Sequence, residues 1–112
     1  MKDSGSISGY HAHVYYDADS KAAAAVLREA IEARFDVHLG RWHDRPVGPH
    51  PHWSYQVAFA PPVFAEIVPW LALNRGALTI FLHPESGDVL ADHRDHAIWL
   101  GDKAELHLEA LL

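Results

Sequence analysis

The chain has 112 residues, enough for one domain with a buried core, and its 49% hydrophobic and 21% charged residues are ordinary for a globular protein. A net charge of −6 without a basic stripe argues against a nucleic-acid partner. The absence of cysteine excludes disulfides, thiolate nucleophiles and thiolate zinc sites. No segment supplies the roughly 20 apolar residues of a membrane span, so we expect no membrane partner and a cytoplasmic protein.

The first half of the chain predicts three strands and one helix. Aromatic and β-branched residues indicate a strand over residues 9–16. An apolar stripe at helical spacing predicts a helix over 20–35. Alternating residues indicate strands over 37–43 and 53–59, and the loop 45–51 between them holds three prolines, which a sheet interior does not accept.

The second half predicts one helix, one strand and a C-terminal extension. Pro61 and Pro62 suit the first turn of a helix, and Pro69 inside that helix is expected to kink or split it. Residues 77–83 follow as the fourth strand, and 89–100 are expected to form a short extra strand and a loop. The last dozen residues are expected to form a terminal helix.

The order β-α-β-β-α-β predicts a ferredoxin-like α+β fold, an antiparallel sheet with two helices on one face. We expect residues 1–8 to be a flexible N-terminus and 9–112 a single domain with a C-terminal extension. The second face of the sheet is expected to be open.

Ten histidines are the most unusual feature of the sequence, and three of them are predicted to converge. Because residues alternate across a strand, His11 and His13 share the face that the helices leave open. Their Cα separation of roughly 6 to 7 Å suits two ligands of one metal ion. His83 lies on the same face of the fourth strand, which is adjacent and antiparallel to the first in this fold. The pattern favours a metal site, with plain surface or core histidines as the alternative.

Other histidines lie in or beside loops. His50 and His52 flank a proline, which indicates either a rigid rim that supplies a ligand or proton-transfer group, or a solvated pair. His93 follows Asp92, and a carboxylate often orients a histidine ligand or base; a turn with local hydrogen bonds is the alternative. Trp53 is a candidate ligand contact because it directly follows the loop that contains His50 and His52. The remaining histidines are assigned to the surface or to packing: His38, His43, His96 and His107.

Five segments, in order along the chain, resemble the DOPA 4,5-dioxygenase family. They are Tyr10 to Tyr16, Gly48 to Pro51, Trp70 to Gly76, Leu82 to Pro84, and Asp92-His93 through Trp99-Leu100-Gly101. The resemblance covers about residues 9–101 and implies a ferredoxin-like domain, often dimeric. It also implies extradiol cleavage of a catechol such as DOPA with non-haem Fe(II) and O2. Carried over position by position, the family's histidines correspond to His11, His13, His50, His83 and His93.

The residues and the resemblance together predict an extradiol dioxygenase, a homodimer acting on a small catechol. The predicted metal ligands are His11, His13 and His83, and the predicted acid–base groups or alternate ligands are His50 and His93. Zinc or nickel can replace Fe(II) in an imidazole site. The carboxylates nearest in sequence are Asp92 and Glu85, and the basic residues considered for an acidic substrate tail are Arg75 and Arg94.

Two other functions fit the same residues. One is a cofactor-free dimeric α+β-barrel oxygenase, whose activity would survive a chelator. The other is a non-enzymatic metal- or ligand-binding module, which would bind metal without consuming oxygen on any catechol.

Overall fold

The computed structural model describes residues 1–112 and contains one five-stranded antiparallel sheet. The strands are β1 (Tyr10–Tyr16), β2 (His38–Leu39), β3 (Trp53–Phe59), β4 (Thr79–Pro84) and β5 (Ile98–Leu100). Their order is β2-β3-β1-β4-β5, with β1 central and paired to both β3 and β4. This arrangement confirms the predicted ferredoxin-like α+β fold, and β5 extends it at the β4 edge.

Two helices supply the apolar core, α1 (Lys21–Arg34) and α2 (Phe64–Asn74). Leu27 and Ile31 of α1 and Leu71 of α2 pack in one buried cluster with every second residue of the strands. Val14 and Ile80, which face each other across β1 and β4, are fully buried in it. The period of two along each strand therefore sorts the core residues onto the helix side.

The second strand and the start of the second helix differ from the prediction. The second strand has two residues instead of seven, although Gly40 and His43 still bond the backbone of β3. A Cβ at Gly40 would lie 3.3 Å from the Cβ of Gln56, so the chain approaches β3 closely there without continuing the regular ladder. The second helix starts after a 3₁₀ turn at Pro61–Val63, and Pro69 does not split it.

The C-terminal third also differs from the prediction. Residues 89–94 form a short helix, α3 (Val89–Arg94), before β5, because the Asp88 carboxylate caps its N-terminus by accepting a hydrogen bond from the Ala91 N–H. The predicted terminal helix is wrong, since only a 3₁₀ turn forms at Leu108–Leu111. The His107 N–H donates to the Pro49 carbonyl at 2.8 Å, so the C-terminal segment is tied to the proline-rich loop.

The sheet face opposite α1 and α2 is not open. Phe81 is fully buried there, and His83 and Tyr15 are 1% and 3% exposed. The proline-rich loop covers β1 through the contact between His50 and Tyr15, and α3 covers β4. The second face of the central strands is therefore covered except near His11, whose side chain is 29% exposed. None of the helices combines the length and the apolar character that a membrane crossing requires.

Candidate metal centre

Three imidazoles meet on the second face of the central strands. His11 on β1 lies directly across from His83 on β4, and His13 follows two residues along β1 on the same side. One ring nitrogen of each lies within 4.8 Å of the others, and the Nε2 atoms of His13 and His83 are 3.2 Å apart. The structure thus brings together the three residues that the strand pattern had placed on one face.

Oxygen atoms lie beside the Nδ1 atoms of two of these rings. His83 Nδ1 is hydrogen-bonded to the Pro84 carbonyl at 3.0 Å, and His11 Nδ1 lies 3.1 Å from Glu85 Oε1, an ion-pair distance. A carbonyl only accepts hydrogen bonds, so Nδ1 of His83 carries the proton. The lone pair of the neutral His83 ring is then on Nε2, the state in which imidazole ligates a metal.

Burial keeps the inner histidines neutral. His13 is 6% exposed, and burial together with four neighbouring imidazoles holds its pKa well below the usual value. Burial, and then repulsion from other histidines, lowers the pKa of His50 to about 4. Burial likewise lowers the pKa of His83 to about 4, although its hydrogen bond to Pro84 opposes the shift. Near neutral pH these rings are uncharged, which metal binding requires.

His50 and His93 pack against different members of the three central rings. The centroid of the His50 ring is 4.1 Å from that of His13, and the centroid of His93 is 4.0 Å from that of His83. His50 Nδ1 lies 2.8 Å from the Tyr15 hydroxyl. The five histidines carried over from the family resemblance therefore form one contiguous cluster.

Of the two interpretations left open for His93 and Asp92, the structure agrees with the turn with local hydrogen bonds, because Asp92 does not orient His93. His93 Nδ1 donates instead to the Val89 carbonyl at 2.7 Å, one helical turn back. The buried Asp92 carboxylate accepts hydrogen bonds from the backbone N–H and the hydroxyl of Ser86. Asp92 thus fixes the turn before α3.

The remaining sequence candidates lie outside the cluster. His52 is exposed and reaches only the ring of Tyr15, at 5.5 Å between centroids. Arg94 pairs with Asp95, and Arg75 donates to the Leu78 carbonyl. Neither arginine is available beside the histidines for an acidic substrate tail.

Phe81 packs against four of the five histidine rings, and Trp99 lies on the far side of Phe81, whereas the sequence candidate Trp53 lies elsewhere. Trp53 packs against Tyr16 on the core side of the sheet. Trp99 stacks on Phe81 at 4.7 Å between centroids and also borders Tyr15. The pairing of β5 with β4 sets Trp99 opposite Phe81, and the sequence-based prediction lacked that register.

Two cavities adjoin the cluster and differ in charge. The first, about 240 Å³, is called the neutral cavity because no Asp, Glu, Lys or Arg lines it: His13, His43, Val47, Gly48, Pro49, His50, Ser54 and Gln56. The second, about 360 Å³, is called the acidic cavity. It lies at His11 and includes Asp36 and Glu85 but no Lys or Arg.

Comparison with known proteins identifies a family. The model of the Dopa 4,5-dioxygenase family matches residues 10–110. A DOPA 4,5-dioxygenase of Amanita muscaria is 35% identical over 94% of this chain and 50% of its own length. An uncharacterised 21.2 kDa protein of Botryotinia fuckeliana is 36% identical over 95% of this chain and 64% of its own length. The chain thus spans one half to about two thirds of these curated relatives.

A solved structure supports the same assignment. The crystal structure of a candidate dioxygenase from Nostoc punctiforme superposes with a TM-score of 0.98 and is 52% identical, covering 99% of this chain and 96% of that one. The family match extends over nearly the whole chain, and the resemblance seen in the sequence segments is confirmed. The chain belongs to the Dopa 4,5-dioxygenase family.

Proposed function

We propose that the protein is an extradiol dioxygenase that opens the ring of a catechol with O2, and that His11, His13 and His83 hold Fe(II). The observation that carries the proposal is the convergence of three imidazole nitrogens within 4.8 Å in a member of this family. Extradiol chemistry, the catechol, the iron and the roles of the residues all belong to the proposal.

The donor set fits an iron ion. Burial lowers the pKa of all three rings, and the Pro84 carbonyl fixes the Nδ1 side of His83. The Glu85 carboxylate lies 3.1 Å from His11 Nδ1. Imidazole suits iron, and it equally suits zinc and nickel, which can occupy the site of a purified sample. Bound iron would bring the two catechol oxygens and O2 together and adjust their reactivity.

The neutral cavity is the proposed catechol site. It borders both His13 and His50, so a ring inside it would reach a metal ligand and an acid–base group at once. The buried Pro49 and its neighbour Gly48 also line the cavity. The absence of an ionised carboxylate or cation in its lining favours an uncharged aromatic ring over a charged group.

His50 is the proposed base for a catechol hydroxyl. The Tyr15 hydroxyl, 2.8 Å from His50 Nδ1, can accept or donate a hydrogen bond. When Tyr15 accepts, Nδ1 carries the proton and Nε2 is free to take one from the substrate. Burial lowers the pKa of His50 to about 4, so this proton transfer becomes favourable only beside the negative charge that develops on the catechol oxygens.

His93 is the proposed second acid–base group. Its Nδ1 donates to the Val89 carbonyl, so the lone pair of the neutral ring is on Nε2, which can accept a proton. Its ring packs against His83, whereas the His50 ring packs against His13. Two bases beside different ligands would allow both catechol hydroxyls to be deprotonated.

Oxygen uptake with a panel of catechols, DOPA included, tests the proposal. Fe(II)-loaded protein is compared with chelator-stripped protein and with the His13→Ala variant. We expect iron-dependent uptake with a yellow ring-opened semialdehyde product. Uptake that survives stripping would instead support the cofactor-free oxygenase, and tight metal binding without uptake would support a binding module.

A further inference from the structure

One carboxylate oxygen touches the outer side of two proposed ligands. Glu85 Oε1 lies 3.1 Å from His11 Nδ1 and 3.4 Å from His83 Nδ1. The His83 ring meets His13 through its other nitrogen, Nε2. Glu85 therefore lies on the side of the His83 ring that faces away from His13.

The backbone of Glu85 is fixed by the strand that carries His11. The Glu85 N–H donates to the Gly9 carbonyl at 2.8 Å, and the Glu85 carbonyl accepts from the Ser8 N–H at 2.9 Å. The Ser8 hydroxyl donates to the same carbonyl. These bonds continue the pairing of β1 with β4 past the ends of both strands, so the position of Glu85 relative to His11 is set by the sheet.

The two rings depend on this carboxylate to different degrees. His83 Nδ1 donates to the Pro84 carbonyl at 3.0 Å, whereas the oxygen partner of His11 Nδ1 is the Glu85 carboxylate, at an ion-pair distance of 3.1 Å. A carboxylate that accepts from the outer nitrogen of a ligating histidine fixes its tautomer and ring orientation and raises its basicity. Loss of Glu85 should therefore affect His11 first.

We propose that Glu85 is a positioning residue that holds His11, and secondarily His83, in the Nδ1–H form that directs Nε2 to the metal. The inference rests on the proposed metal site. Glu85 acts through the two histidines and is not itself a ligand. This gives an all-imidazole ligand set with its carboxylate outside it.

The tautomers of metal-free protein give the first test. In ¹⁵N-edited NMR spectra of wild-type protein, we expect His11 and His83 to be Nδ1–H tautomers. In Glu85→Ala, His11 should shift to the Nε2–H tautomer while His83 keeps its bond to Pro84. Unchanged tautomers at His11 would overturn the positioning role whether or not the protein binds metal.

Metal titration gives the second test, with Co(II) as the spectroscopic probe. We expect Glu85→Ala and Glu85→Gln to weaken Co(II) binding about 10- to 100-fold without changing the ligand-field spectrum. The matched control is Glu29→Gln, which makes the same charge change as Glu85→Gln at an exposed site on α1. Its Co(II) affinity should stay within about twofold of wild type. Circular dichroism confirms that each variant is folded.

Three outcomes of the titration would contradict the inference. Equal Co(II) affinity in Glu85→Ala and Glu29→Gln would show that Glu85 plays no part in the metal centre, while leaving the proposed function intact. A spectrum that loses a ligand in the Glu85 variants would make Glu85 a ligand. Wild-type protein that binds no Co(II) would overturn the proposed function itself.

Discussion

The middle of β1 is buried on both faces, but one face carries apolar side chains and the other carries histidines. Val14, directed toward the helices, and His13, directed away from them, are neighbours in sequence and are 0% and 6% exposed. Burial of Val14 stabilises the fold, whereas burial of a polar ring costs free energy unless its nitrogens find partners. His13 Nε2 has only another histidine within hydrogen-bond distance. One face of the strand therefore supports the fold, and the other keeps polar groups in place for a ligand.

The largest expected effect is on metal binding. Replacing His13 with Ala removes the central ring of the cluster, and we expect metal binding to be lost while circular dichroism stays that of a folded protein. Metal analysis of the purified, Fe(II)-loaded variant measures this, with His52→Ala as the control because His52 is exposed outside the cluster. Full metal content in His13→Ala would remove His13 from the site.

The next prediction separates catalysis from metal binding on the histidine face of the sheet. His50→Ala should lower turnover by about 10²- to 10⁴-fold, the usual contribution of an acid–base group, with iron content unchanged. Steady-state kinetics and metal analysis of one preparation measure both quantities. A parallel loss of iron would make His50 a ligand instead.

On the helix side the expected effect is on stability. Ile80 is fully buried, and Ile80→Ala should lower the free energy of unfolding by about 2–5 kcal/mol. Denaturant titration followed by tryptophan fluorescence measures the change. Folded Ile80→Ala should still bind one metal per chain, and loss of the metal would show that the two faces are not independent.

A smaller effect distinguishes the two faces by pH. Burial lowers the pKa of His50 and His83 to about 4, from the usual 6.5, so below pH 6.5 the unfolded metal-free protein binds more protons than the folded one. The stability contributed by these neutral rings is present above pH 6.5 and is lost as the pH falls toward 4.

Denaturation midpoints between pH 4 and 8, in the presence of a chelator, measure this loss. His50→Gln should flatten the pH dependence, while Ile80→Ala should lower stability by a similar amount at every pH. A His50→Gln profile as steep as that of wild type would contradict the assignment to His50.

Local patterns predicted the faces of the sheet because the period of a strand is two and the order of the fold pairs β1 with β4. That logic brought His11, His13 and His83 together from sequence alone. The Asp88 cap of α3 was also a local signal, and it was overlooked.

The cover of the histidine face could not be predicted in the same way. It depends on contacts between distant segments, such as the bond from the His107 N–H to Pro49 and the pairing of Trp99 with Phe81. The predicted terminal helix failed for a related reason, since the segment around His107 bonds to the proline-rich loop. Glu85 was seen as a nearby carboxylate, but its place behind two rings required coordinates.

The most direct test of the metal centre is a crystal structure of Fe(II)-loaded protein, grown without oxygen, with anomalous data at the iron edge. The account predicts one iron peak bound by ring nitrogens of His11, His13 and His83, with His50 and His93 beside it and Glu85 behind it. An iron peak away from His13, or none in fully loaded protein, would contradict it.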